Sequence, residues 1–456
     1  MKEVFIKIKP FIKYFLVFFF FLYWSLIVQP ISLDEIWNYG FSYNIYNGLV
    51  PYKDFNMVMT PIYPMIMSVF LIFNSSILTM HVVNSLMLTG MIYLIEKIVD
   101  KKYNLGIFLI LLIFPMSLIF PSYNIFLLML FVLIIYLEKN KCNDYLIGFI
   151  LGFFILTKQS VGVFVALVSL YYLYKDKSKV IRRIIGCFIP CFCFFIYLLI
   201  SNSLNSFLDL CLFGLFDFGK SNGSNFNYLF IFGICLLILN IILIKNSKNK
   251  LNYYYLLSFF SIMIPLFDLY HVLIYFFSFI FIYLLEEDIV LKSKYLNVDL
   301  FIWGFLIGII FISSFYRFND KVYFPNNINH FEYRMVNNKY LDYSDTINGR
   351  YLEYKDLGYK VIFLSADGYY FKLINDIEID YLDLINSGNW GYNGSDKLLS
   401  KIESCKNCVF FLDESEIGLN KQTDQKLLKY VIDNGCVKEE FGNYKVYMLG
   451  DKCGEN

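Results

Sequence analysis

Apolar segments separated by short loops fill this chain of 456 residues as far as residue 315. Because lipid offers the backbone no hydrogen-bond partners, a segment that crosses a membrane forms a helix of about 20 apolar residues. Hydrophobic residues make up 58% of the chain and charged residues only 17%, which is typical of an integral membrane protein. The segments predict an α-helical polytopic membrane protein with about eleven spans, some short or tilted, at 14–28, 77–97, 105–120, 125–138, 144–157, 160–174, 183–200, 227–244, 252–266, 271–286 and 298–315.

The distribution of lysine and arginine determines the predicted orientation. The apolar piece 62–73 holds about a dozen residues, too few to cross a bilayer, so we place it outside the membrane core with the loop that carries it. Alternate loops then collect the basic residues, as cytoplasmic loops do under the positive-inside rule; they hold Lys97, Lys101, Lys102, Lys139, Lys141, Lys175, Lys177, Lys179, Arg182, Arg183, Lys245, Lys248, Lys250, Lys292 and Lys294. The opposite loops hold only Lys53, Lys158 and Lys220. We therefore expect a multi-pass cell-membrane protein, surrounded by membrane lipid, with its lysine-rich N-terminus in the cytoplasm.

An odd number of spans leaves the C-terminal tail outside the cytoplasm. We divide the chain into a membrane domain, 1–316, whose first outer loop is 31–76, and an extracytoplasmic domain, 317–456. Short β-like runs alternate with helix-like runs in the tail, which predicts a small α/β domain. The strand-like runs are 360–364, 408–412 and 445–449, and the helix-like runs are 396–404 and 424–433.

Four of the ten cysteines, Cys405, Cys408, Cys436 and Cys453, lie in the tail. An oxidising compartment favours disulfides in a small domain, and two bridges among four cysteines allow three connectivities. We favour the pair Cys436 and Cys453 across the last two strands, with free thiols as the alternative. A zinc site is less favoured because the first two cysteines have no well-spaced second pair.

The outer loop after the first span holds the acidic pair Asp34 and Glu35. Ser32 and Glu35 match a helix capping box, in which Ser32 caps an interfacial helix and Glu35 answers from its third position; Gly48 would end that helix. Capping gives no reason for Asp34. Because a carboxylate beside the hydrocarbon region is costly and usually marks a functional site, Asp34 is the first catalytic candidate. Glu35 stays open to either role.

Several motifs follow one another along the membrane portion, 14–315. After Asp34-Glu35 come Gly48-Leu49-Val50-Pro51-Tyr52-Lys53-Asp54-Phe55, then Thr60-Pro61-Ile62-Tyr63, then Leu156-Thr157-Lys158-Gln159 at the outer end of a span. Tyr270-His271, at the start of a late span, is a looser match. In this order the motifs resemble the GT-C glycosyltransferase superfamily, which includes protein O-mannosyltransferases and lipid A aminoarabinose transferases. The tail is similar only in being an extracytoplasmic appendage.

The resemblance implies an inverting transfer of a hexosyl or pentosyl unit from a polyprenyl-phosphate donor to a glycan, lipid or protein acceptor. Asp34 would take the proton from an acceptor hydroxyl at the outer membrane face, and Glu35 or Asp54 would stabilise an oxocarbenium-like transition state. The leaving phosphate needs cations, for which the candidates are Lys158, Lys53 and His271. The candidate substrate-binding residues are Asp54, Tyr63, Gln159 and Tyr270.

This chain departs from the pattern of that superfamily at two positions. Several relatives carry Lys or His where this chain has Thr60, and many carry Arg where it has His81. No Asp-x-Asp cluster accompanies Asp34, so we expect a metal-independent enzyme with no cofactor, although a divalent metal stays open. The formal net charge of +1 argues against a nucleic-acid partner, which would require a basic face.

Two other functions stay open. A polysaccharide polymerase or ligase would use similar lipid-linked donors, but it would favour a large outer loop with paired arginines, and the outer loops here nearly lack arginine. A lipid or solute transporter would show repeat symmetry or broken helices near the midplane, and the sequence shows neither. A membrane anchor for the tail would leave Asp34 and Lys158 unexplained.

Overall fold

The computed structural model describes residues 2–29, 31–99, 116–223, 228–247, 249–264, 266–286, 328–334, 344–364, 368–405, 407–413, 423–442 and 444–450. Its α-helices in chain order are α1 (Lys2–Tyr23), α2 (Leu33–Tyr46), α3 (Ile62–Leu71), α4 (Ile77–Ile98), α5 (Tyr123–Lys139), α6 (Asp144–Thr157), α7 (Gln159–Tyr172), α8 (Lys177–Ile200), α9 (Leu204–Leu208), α10 (Gly214–Asn222), α11 (Tyr228–Asn246), α12 (Leu251–Phe259), α13 (Leu269–Glu286), α14 (Ser344–Asp356), α15 (Gly368–Leu373), α16 (Gly394–Glu403) and α17 (Gln425–Asn434). Its strands are β1 (Lys360–Phe363), β2 (Cys408–Asp413), β3 (Gly435–Phe441) and β4 (Tyr444–Leu449).

Four helices within these ranges, α4, α8, α11 and α13, are long and apolar enough to cross a membrane. Three shorter apolar helices, α3, α6 and α7, accompany them. The short helix expected from 62–73 is confirmed, because α3 has 10 residues. The total of about eleven spans is not confirmed: 105–120 is described only from residue 116 onward, and 298–315 lies outside the described residues.

The chain groups into two compact units, of which the first comprises Met1–Pro30, Thr60–Ile196 and Ser224–Lys321. Within this unit, α6 packs against α8 through two glycines. A Cβ atom at Gly148 would lie 2.2 Å from the carbonyl oxygen of Arg183, and one at Gly152 would lie 2.4 Å from Cγ of Pro190. Small residues thus let two helices approach closely.

A buried arginine joins five helices of the first unit. Arg183 on α8 is 3% exposed, and its Nε donates to Asp144 of α6 at 2.9 Å. Its terminal nitrogens donate to Glu138, Ser169 and Tyr255, on α5, α7 and α12. A buried charge is tolerated only with such pairing. The sequence placed Arg183 in a cytoplasmic loop at the start of a span, but α8 begins earlier and Arg183 lies inside the helix.

The second unit comprises Ile31–Met59, Tyr197–Gly223 and Val322–Asn456. It contains a four-stranded sheet in the order β1-β2-β4-β3, in which β1 is parallel to β2 and the other pairs are antiparallel. The three predicted strands and the two predicted helices, now α16 and α17, are confirmed. The sequence did not predict β3, because this edge strand has no fully buried residue and so lacks a clear apolar pattern.

The helices α16 and α17 cover the sheet with apolar residues four positions apart. Leu398 and Ile402 of α16 and Leu427 and Val431 of α17 pack with Phe410 of β2, each of them 0–1% exposed. Residues at this spacing lie on one face of a helix. Each such side chain contributes about 1.5–3 kcal/mol when fully buried, so these helices need the sheet for their stability.

The segment 197–223 is attached to the tail by two aspartates. The ammonium of Lys397 lies 2.6 Å from Asp209, which also accepts the N–H of Tyr392 at 3.2 Å. Asp217 accepts the N–H of Asn393 at 2.6 Å. These exposed contacts are individually weak, but together they set which surface of the tail the segment meets.

The tail contains disulfides, as predicted. Cys405 and Cys408 are bonded to each other, with their Cα atoms 5.7 Å apart, so the zinc and free-thiol alternatives are wrong for this pair. Cys436 is disulfide-bonded as well. Its predicted partner Cys453 lies outside the described residues, so that pairing stays a prediction.

Candidate active site

The helix α2 begins as the sequence predicts. The N–H of Glu35 donates to Oγ of Ser32 at 3.1 Å, so Ser32 caps the helix. Gly48 follows the helix with a φ of +90°, in the region that favours glycine. Asp34 lies half-buried in the first turn, where the unpaired N–H groups of a helix favour negative charge.

The carboxylate of Glu35 is held by Arg334. The Nε and Nη2 atoms of Arg334 donate to the two carboxylate oxygens at 2.7 and 3.0 Å, and both side chains are 0% exposed. A two-point contact is the strongest form of arginine–carboxylate pairing. Because both charges have left water, the pair is favourable only while it is complete. No pattern in the sequence predicted this partner.

A second contact follows one turn along α2. The hydroxyl of Tyr39 and Nδ1 of His330 are 2.9 Å apart, and Nε2 of His330 lies 2.5 Å from Asp376. Asn329 donates to the other oxygen of Asp376 at 2.8 Å. Burial would raise the pKa of Asp376, but the hydrogen bond and charge of His330 outweigh it and lower that pKa. The segment 328–334 therefore anchors α2 at two points.

Three short loops of the first unit meet around Lys158. The ammonium of Lys158, the residue before α7, lies 5.7 Å from the centre of the Tyr123 ring. Asp268 directly precedes α13. Its carboxylate accepts a hydrogen bond from the backbone N–H of His271 at 2.8 Å and lies 2.9 Å from Nδ1 of the His271 ring. Burial would raise the pKa of Asp268, but His271 and, more weakly, Lys158 lower it overall. Two predicted phosphate ligands thus share one group.

Tyr270 extends this group, which we call the Lys158 cluster (Ser122, Tyr123, Lys158, Asp268, Tyr270 and His271). Its hydroxyl lies 2.9 Å from Oγ of Ser122 and donates to the carbonyl of Phe120 at 3.3 Å. The sequence predicted three of the six members, Lys158, Tyr270 and His271, and missed Ser122, Tyr123 and Asp268. The only signal for Asp268 was its position three residues before a histidine at a helix start.

The remaining predicted residues have other surroundings. Lys53 is exposed, and Asp54 accepts a backbone N–H of its own turn at 2.7 Å. Tyr63 is fully buried, and its hydroxyl accepts a hydrogen bond from Asn84 at 2.7 Å. Gln159 begins α7 and is half-exposed. Substrate contact through these residues stays a prediction.

The predicted site residues divide between the two units. The second unit contains Asp34, Glu35, Lys53 and Asp54, and the first contains Tyr63, Lys158, Gln159, Tyr270 and His271. Within the described ranges, no group of three His, Cys, Asp or Glu side chains is placed to hold a metal ion. Metal independence stays a prediction.

No family model matches this chain, and no curated protein matches it. The oligosaccharyltransferase of Archaeoglobus fulgidus, solved in complex with zinc and sulfate, aligns with 88% of this chain and 68% of its own, at 12% sequence identity and a TM-score of 0.44. That score does not establish a shared fold.

Proposed function

We propose that this protein is a glycosyltransferase of the outer membrane face that moves a sugar from a polyprenyl-phosphate donor to an acceptor hydroxyl, with inversion. The observation that supports it most is the Lys158 cluster, in which two phosphate ligands predicted from distant parts of the sequence, Lys158 and His271, share one group. In this proposal the protein is a multi-pass membrane protein of GT-C type with a cytoplasmic N-terminus. No metal or cofactor takes part in this proposal.

The Lys158 cluster is suited to a phosphate group. Lys158 supplies a positive charge at the start of α7, and His271 supplies a second donor when its ring is protonated. Asp268 holds Nδ1 of that ring at 2.9 Å, so the ring orientation is fixed before a ligand binds. A leaving phosphate gains most from donors that need no rearrangement.

Asp34 is the proposed general base. The acceptor oxygen attacks the anomeric carbon, the bond from that carbon to the phosphate oxygen breaks, and the hydroxyl proton passes to the Asp34 carboxylate. Polyprenyl phosphate leaves with the bonding electrons. Glu35 cannot turn towards a substrate without giving up its two-point contact with the buried Arg334, so we assign Glu35 a positioning role for the first turn of α2.

The test replaces Asp34 in a strain that lacks the endogenous gene. Envelope glycans lost on deletion are identified by mass spectrometry, and each variant is scored for their return. Wild type and the exposed-surface control Asp356→Asn should restore them, whereas Asp34→Asn should lower turnover about 10²–10⁴-fold, the usual contribution of a general base. The variant should retain its fold and donor binding. Full restoration by Asp34→Asn would refute the proposal.

A further inference from the structure

A polar groove opens on the surface of the second unit. Its volume is about 650 Å³, within the range of roughly 300–1,000 Å³ that small-molecule sites occupy. A turn of the outer loop, the tail segment 376–381 and Lys355 of α14 line it. All three belong to the same unit, so the groove is complete without any other part of the chain.

Charged side chains of both signs face this groove. Lys53, Lys355 and Glu378 are exposed, and within the described part of the chain none of the three forms an ion pair. Asp54 and Asp380 add two carboxylates to the lining, of which Asp380 is already paired with Lys360 at 2.7 Å. Ammonium donors and carboxylate acceptors are therefore available together to a ligand.

The floor of the groove is fixed in position. Nδ2 of Asn44 donates to the carbonyl of Ile379 at 2.7 Å, and the N–H of Ile379 returns to Asn44 at 3.2 Å. Asp376 is held by His330 and has a φ of 55°, which is uncommon without glycine and occurs where surrounding contacts fix the backbone. Binding to a prepared surface loses little conformational entropy.

The helix that carries the proposed base also contacts one residue of the groove, through the hydrogen bonds of Asn44 with Ile379. Asn44, which holds the floor, lies ten positions after Asp34 on α2, and a rise of 1.5 Å per residue separates them by about 15 Å along the axis. A ligand that fills the groove and reaches Asp34 must therefore be extended over at least about this distance.

We propose that this groove binds the distal part of a glycan acceptor, whose reacting end lies at Asp34. The inference rests on the proposed function and names the class of its acceptor. Sugar hydroxyls both donate and accept, so they satisfy carboxylates and ammonium groups together, and the apolar edges of Leu49 and Ile377 suit sugar C–H faces. Four lining carboxylates, Asp54, Asp376, Glu378 and Asp380, disfavour a polyanion, and an acyl chain would gain nothing from the charges.

The test measures binding by the full-length protein in nanodiscs, with saturation-transfer NMR and a series of neutral oligosaccharides of increasing length. Binding should strengthen with length up to the span of the groove. Lys355→Ala and Glu378→Gln should each weaken it about tenfold, which corresponds to about 1.4 kcal/mol. The exposed controls Lys429→Ala and Glu403→Gln, on α17 and α16, should bind as wild type does.

The two proposals fail separately. Asp34→Asn should keep oligosaccharide binding, because it removes the base and leaves the groove. The groove proposal is overturned if neutral oligosaccharides do not bind, if a serine-rich peptide or lipid vesicles compete for the groove instead, or if both groove variants bind as wild type does. If the groove variants lose oligosaccharide binding while Asp34→Asn keeps full turnover, the groove proposal is supported and the assignment of Asp34 as general base is refuted.

Discussion

Replacement of Arg334 tests whether the buried ion pair with Glu35 holds the start of α2. Arg334→Met leaves a carboxylate with 0% exposure without its partner, and Glu35→Leu leaves the guanidinium in the same position. Breaking a buried pair from one side costs about 3–5 kcal/mol. In a unit of about 150–250 residues, 1 kcal/mol corresponds to about 2–4 °C, so each single variant should unfold about 6–20 °C lower.

The double variant separates the ion pair from simple loss of packing. Glu35→Leu with Arg334→Met removes both charges at similar volume, so it should recover most of the lost stability, as apolar replacements of buried pairs often do. Thermal unfolding of the purified full chain in nanodiscs, followed by tryptophan fluorescence, measures all three variants. Arg350→Met is the control, because Arg350 is itself exposed and its pairs with Glu353 and Glu439 each contribute about 0–1 kcal/mol.

Two results would contradict this reasoning. Single variants within about 1 kcal/mol of wild type would mean that the buried charges are not desolvated as the structure places them. A double variant whose loss of stability equals the sum of the two single losses would mean that the pair contributes no coupling energy. A stable double variant should also restore envelope glycans, because the proposed base remains; stability without restoration would give Glu35 a direct part in the reaction.

Three further outcomes are expected. Asp268→Asn should raise the donor KM more than it lowers kcat, measured by donor titration, because the proposed phosphate ligand His271 loses its orientation. Gly148→Ala should lower the free energy of unfolding by about 1–3 kcal/mol, because its new Cβ atom overlaps the backbone of Arg183. Gly90→Ala should be neutral or slightly stabilising, because a Cβ atom there has nothing within 4 Å. Thermal unfolding compares the two variants. The lowered pKa of Asp376 stabilises the fold above about pH 4 and ceases to do so as pH falls through that pKa, so Asp376→Asn should flatten the acid limb of stability against pH.

The sequence predicted the apolar helices well, because a run of apolar residues is recognisable from its own composition. The pattern is local, so it does not depend on which other part of the chain covers the segment. The prediction was wrong where the surroundings of a residue depend on distant parts of the chain. Arg183 was assigned to a loop because an arginine usually lies in water, but four other helices supply its partners.

The candidate site was likewise predicted only in part from the sequence. Lys158 was identified because basic residues are rare at the outer ends of the predicted spans, and His271 was identified from the looser Tyr270-His271 resemblance. Arg334 was not, because it lies 299 positions from Glu35 and nothing local links them. The groove was missed for the same reason: its walls come from the outer loop and the tail, which only folding brings together.

The second unit is formed by three separate segments of the chain, and this constrains how many times the chain crosses the membrane between them. Its three segments, Ile31–Met59, Tyr197–Gly223 and Val322–Asn456, pack together, so all three must lie on one side. The number of crossings between successive segments is then even. The predicted spans satisfy this, with six between the first two segments and four before the third, and so do α4 with α8 and α11 with α13 taken alone. Added to the six predicted spans, of which 105–120 is described only from residue 116, α3 would make the first number odd, so we expect α3 to remain on one side of the membrane.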